Sequence, residues 1–138
     1  MAKTFPNTFL ADPGISDKRT ETVTVDTTLT SADHMKVFLV GTDALTITLP
    51  TSVLGLEYTF INTGADGNNI ITISPASTDG IWGTITLAAS VVDLGGTANK
   101  DLINTKSTSI KGDCVTIVGG GSNDWYVKSS TGIWAAEA

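Results

Sequence analysis

Threonine alternates with leucine, isoleucine or valine along much of this chain, and a two-residue period commits a segment to a strand with one inward face. Leu45-Thr46-Ile47-Thr48-Leu49 is the clearest instance. Leu45, Ile47 and Leu49 share one face, and Pro50, which has no N–H to give a ladder, ends the strand. Thr22-Val23-Thr24-Val25 alternates in the same way, and Met35 to Val40 is an apolar run of strand length. Leu56, Tyr58 and Phe60 share a face, and Ile71 and Ile73 follow before Ser74-Pro75 closes that strand. Ile81 to Leu87 reads as one strand, with Ile81, Gly83, Ile85 and Leu87 inward and Trp82, Thr84 and Thr86 opposite. Ser90 to Leu94 is stopped by Gly95-Gly96, and Ile110 to Val118 by Gly119-Gly120-Gly121, which reads as a hairpin connection. Trp125-Tyr126-Val127 and Ile133-Trp134 complete the set.

No segment reads as a helix longer than one turn. About eight to ten short strands with closely spaced turn signals predict an all-β domain, an antiparallel β-sandwich or jelly roll. No internal repeat of fixed period is evident. At 138 residues the chain suits a single domain with a core of its own, and the expected division is an arm over 1–20 and one β-sandwich domain over 21–138. The arm, MAKTFPNTFLADPGISDKRT, shows neither period, but it carries Pro6 and Pro13, which favour extended backbone, and the apolar anchors Phe5, Phe9, Leu10 and Ile15.

Charge excludes several classes. The formal net charge is −6, and the eight lysines and arginines never form a block, so the basic face that nucleic acid demands is not visible. The same deficit argues against an anionic membrane surface, and no apolar run reaches the length of a membrane span. Charged residues are only 16% of the chain, a hint that partners cover part of its surface.

Reactive groups are sparse. His34 is the only histidine and sits in a polar turn, with no Gly-x-Ser-x-Gly elbow anywhere. Cys114, the only cysteine, cannot bridge within the chain and reads as a small core residue. One histidine and one cysteine do not furnish a tetrahedral zinc site. Gly64-Ala65-Asp66-Gly67-Asn68-Asn69 has calcium-ligand residue types without the spacing of an EF-hand. Most of the eleven aspartates, such as Asp43, Asp66, Asp79 and Asp124, fall in turns, where the side chain holds backbone N–H groups. No catalytic residue, cofactor or metal is therefore expected. Trp82 falls on the polar-parity face of its strand, and Trp82 and Trp134 are the expected subunit-interface anchors.

The stretch from Thr27-Thr28-Leu29-Thr30-Ser31-Ala32-Asp33-His34 to Phe38, then Leu45–Pro50 and Gly55-Leu56-Glu57-Tyr58-Thr59-Phe60, resembles a module of tailed-bacteriophage virion proteins. Such modules occur in small head-decoration (cement) proteins and in some fibre proteins. Asn123-Asp124-Trp125-Tyr126-Val127 and Ser129–Trp134 are similar to the ends of those modules, and together these segments cover somewhat over a third of the chain. The resemblance implies a structural, non-enzymatic virion protein, commonly a homotrimer, that sits on the outer capsid surface and clamps neighbouring subunits of the major capsid protein. It would be made in the host cytoplasm. Phe5, Pro6, Phe9 and Leu10 are then the expected capsid contacts. The alternative is a host-recognition module of a fibre or spike, whose exposed aromatics bind surface glycans.

Overall fold

The computed structural model describes residues 19–138, and it is built of β-strands with only two short 3-10 turns, at Ser31–Asp33 and Lys106–Thr108. The first six strands are β1 (Thr20–Val23), β2 (Thr27–Thr28), β3 (Val37–Val40), β4 (Leu45–Thr48), β5 (Glu57–Asn62) and β6 (Ile71–Ser74). They fall alternately into two sheets: β1, β3 and β5 into one, β2, β4 and β6 into the other. Each return to a sheet lays a strand parallel to the previous one, with Thr20 opposite Val37, Val37 opposite Thr59, Thr27 opposite Ile47 and Leu45 opposite Ile71. A parallel pair needs a crossover between its strands. Here the crossover is a strand of the other sheet, so the chain winds as a two-strand coil.

The remaining strands are β7 (Gly80–Trp82), β8 (Thr84–Leu87), β9 (Ser90–Asp93), β10 (Leu102–Asn104), β11 (Cys114–Gly121), β12 (Asp124–Thr131) and β13 (Trp134–Ala136). β11 and β10 pair antiparallel with β5 and β6, β12 and β13 add outside them, and β7 closes the first sheet in parallel with β12. The orders are β1-β3-β5-β11-β12-β7 and β13-β10-β6-β4-β2, with β8 and β9 as a separate hairpin. Inward residues of both sheets form one core, including Phe38, Tyr58, Phe60, Val115, Ile117 and Trp125 from the first and Ile47, Ile71, Ile73, Leu102 and Trp134 from the second. Phe38 stacks on Phe60 with ring centroids 5.5 Å apart, and Tyr58 meets Trp125 at 5.8 Å. Such pairs add about 0.5–1.5 kcal/mol each beyond the area they bury.

At one end a polar chain joins the sheets. Asn62 Nδ2 of β5 donates to Asn104 Oδ1 of β10 at 2.8 Å, and Asn104 Nδ2 donates to Asp113 Oδ2 at 2.8 Å and to the Ile133 carbonyl at 3.0 Å. Asn62, Asn104 and Asp113 are all buried. At the other end, buried Asp79 accepts from Ser52 N at 2.6 Å and pins the loop that follows β4.

Several expectations are corrected. The pairing is not antiparallel throughout, because alternation fixes which side chains point inward and says nothing about a neighbour's direction. Many of the turn signals mark crossings between sheets rather than hairpins. Ile81 to Leu87 is two strands, broken at Gly83, whose φ of 128° takes the chain out of the first sheet. The three glycines Gly119–Gly121 lie inside β11, and the hairpin turn is Ser122-Asn123, with φ of 51° and 69°. Two positive φ values at the centre of a two-residue loop match the strand twist. Strand β11 begins at Cys114, and Ile110 lies outside it and exposed. Cys114 is only half-buried, because Val115 takes the inward position; burial still pushes its thiol pKa up. Strand β1 opens at Thr20, the last residue of the stretch expected as an arm.

Candidate interaction surface

The parallel register of β7 and β12 sets Ile81 beside Trp125 and Trp82 beside Tyr126. Alternation then sends the first pair into the core and the second to the outside. Ile81 and Trp125 are 3% and 0% exposed, whereas Trp82 and Tyr126 are 41% and 43% exposed. Between the two outward rings stands Asp124. Its Oδ1 accepts from Trp82 Nε1 at 2.8 Å and its Oδ2 from Tyr126 OH at 3.3 Å. The charge of Asp124, with lesser contributions from burial and that hydrogen bond, raises the Tyr126 pKa, so the phenol keeps its proton.

Each ring is seated on a glycine. A Cβ on Gly96 would overlap the Trp82 indole, and one on Gly120 would overlap the Tyr126 ring. Absence of a side chain lets both rings lie close against backbone on one face. The loop after β4 is bonded to the backbone at the facing ends of β11 and β12. Ser52 Oγ donates to the Asp124 carbonyl and accepts from Gly121 N, while Gly55 N donates to the Gly119 carbonyl at 2.9 Å. These bonds hold Val53 and Leu54, 54% and 79% exposed, beside the glycine run of β11. The outward patch is the pair Trp82 and Tyr126, whose polar donors are already bonded to Asp124 within the chain.

The charges nearby are mostly matched. Lys128 pairs with Glu57 at 2.9 Å, and elsewhere Lys36 pairs with Glu21 and Asp33 and Lys106 with Asp43. Among the described residues no salt bridge reaches Asp124. His34 is exposed, and its Nδ1 accepts from Glu57 N at 3.2 Å. Asp93 and Asp113 accept from the nearby Gly95 N and Ile110 N as turn aspartates do, whereas Asp26, Asp43, Asp66 and Asp79 reach distant segments, at Thr46 N, Ile70 N, Lys111 N and Ser52 N. Among the described residues no three His, Cys, Asp or Glu side chains gather as a metal site, and no helix is long and apolar enough to cross a membrane.

Of the expected contact residues, Trp82 is exposed, on the edge strand β7 beside Tyr126. Trp134 is not: it is 0% exposed, its Nε1 donates to the Thr131 carbonyl at 2.9 Å, and it has no face left for a neighbouring subunit. It is a core residue because β13 pairs with β10 over the shared interior. Phe5, Pro6, Phe9 and Leu10 lie outside the described residues. Tyr126, Val53 and Leu54 were missed from the sequence, although the parity that buries Trp125 would have turned Tyr126 outward. No protein-family model matches the chain, and no curated protein matches it.

Proposed function

We propose that this chain is a structural, non-enzymatic virion protein that decorates the outside of a phage head and clamps neighbouring coat subunits. The observation that carries the reading is the exposed pair of rings, Trp82 and Tyr126, both tied to Asp124. Exposed apolar area whose polar edges are satisfied internally gains by meeting another surface, and aromatics at the centre of such a patch are common binding anchors. The sequence resemblance to decoration modules and the low charge content support it further.

On this reading the two sheets are the layers of a sandwich that share one core. A jelly roll, made of antiparallel Greek keys, fits poorly with the parallel winding of β1 to β6. The protein acts as a homotrimer, which multiplies weak coat contacts through effective concentration. Phe5, Pro6, Phe9 and Leu10 supply a second contact with the coat subunits.

Mixing the purified chain with expanded and unexpanded heads, followed by sedimentation, tests the proposal. Co-sedimentation that weakens on deletion of residues 2–18, with a trimeric mass by light scattering, is the expected result. Absence of binding to either form of head would overturn it. The second reading, glycan recognition, is favoured by the same outward rings, and tight binding to cells without affinity for heads would select it.

A further inference from the structure

We propose that Trp82, Tyr126 and Asp124 form a receptor for a planar guanidinium, an arginine side chain presented by the coat partner. This rests on the coat-binding reading above and names the chemistry of its contact. Three observations converge on a flat cation. Both rings are seated on glycines and remain partly exposed, and an aromatic face is the negative part of the ring's quadrupole. A carboxylate sits between them with no cation of the chain paired to it among the described residues. Each of its oxygens accepts one neutral donor and keeps a further lone pair for an incoming N–H.

The raised Tyr126 pKa reports the same negative field from the side of the phenol. Lys128, two positions along β12, is held by Glu57 at 2.9 Å instead of filling the site. Guanidinium fits better than ammonium, because it is planar, stacks on rings and is weakly hydrated, while its N–H groups can bond a carboxylate in the same plane. Fixed rings also lower the ordering cost of binding.

The test uses the full chain and a small probe, N-acetyl-arginine amide, followed through the Trp82 indole N–H resonance, which Trp82→Phe assigns by its disappearance. A saturable shift is expected, with lysine amide at least about five-fold weaker and Asp124→Asn weakened by about five-fold or more. The asparagine still accepts from Trp82 Nε1, so that variant removes charge while keeping the indole tied. Tyr126→Phe keeps the ring and should bind nearly as well, whereas Tyr126→Ala should not. No saturable shift, equal affinity for lysine, or an unaffected Asp124→Asn variant would overturn the inference. So would a shift produced by N-acetylglucosamine oligomers in place of arginine, which assigns the rings to glycan.

Sedimentation with heads separates the two levels. If the wild-type chain binds heads and Asp124→Asn binds equally well, the arginine contact is refuted and the coat reading stands. If arginine amide binds as expected and heads do not, the coat reading falls and the site remains.

Discussion

Replacing Asn104 by alanine should cost this fold a large part of its stability, because that side chain is the link between the sheets at one end. Three bonds are lost: the one accepted from Asn62 Nδ2 and those given to Asp113 Oδ2 and the Ile133 carbonyl. Asp113 Oδ2 keeps the Ile110 N–H at 2.9 Å, so two groups, Asn62 Nδ2 and the Ile133 carbonyl, are left without the bonds Asn104 made. A stranded buried polar group costs about 1–3 kcal/mol, which puts the total near 4 kcal/mol. That is a major fraction of the roughly 5–15 kcal/mol by which domains are stable. With a urea slope of about 2 kcal/mol per molar, the midpoint should fall by about 2 M at unchanged slope. Asn104→Asp should be worse still at neutral pH, since it sets a second carboxylate against Asp113. A midpoint shift below about 0.5 M for Asn104→Ala would refute the reasoning, because it would mean that water serves the stranded groups as well as Asn104 does.

The two tryptophans at issue should separate cleanly in the same denaturation experiment: Trp134→Ala should lose about 3–5 kcal/mol as a core truncation, and Trp82→Ala under about 1 kcal/mol. Comparable losses would mean that Trp82 too is part of the core. The β8–β9 turn places Ala88 and Ala89 at φ of 49° and 65°, a conformation that costs an ordinary L-residue about 1–2 kcal/mol. Replacing the pair by Asn-Gly should therefore raise the thermal midpoint, and a lower midpoint would rule out the two-residue turn. Burial works to raise the Asp33 carboxyl pKa, but hydrogen bonds from Lys36 and the Thr30 backbone outweigh it and leave it below its ordinary value. A carboxyl depressed by folding stabilises the native state above its unfolded pKa and loses that contribution as pH falls through the folded one. Lys36→Met should thus move the Asp33 titration upward in a carbon NMR experiment, and an unmoved curve would remove Lys36 as the cause.

The strand content and the inward set were legible in the residues themselves. Leu45, Ile47, Tyr58, Phe60, Ile71 and Ile73 are buried as their alternation requires, because a period of two needs only the local pleat to define a face. Only Asp93 and Asp113 bond backbone within a local turn; Asp26, Asp43, Asp66 and Asp79 hold the backbone of segments distant in sequence, which no local pattern announces. Two short strands escaped notice: Thr27-Thr28 and Leu102–Asn104 are too brief to show a period.

Direction and partnership were not in the sequence. Whether β3 lies parallel to β5 or turns back as a hairpin depends on where the connection crosses, and that depends on the other sheet's need to cover the same apolar face. Trp82 and Trp134 look alike as letters in strand-like runs, yet one lies open on Gly96 and the other is enclosed by β10 and the core. The seat for Trp82 comes from a glycine in a separate turn, and its hydrogen-bond partner Asp124 comes from a strand far along the chain. Local chemistry determined which residues turn inward; only the long-range stacking of two sheets decided which aromatic rings were left outside.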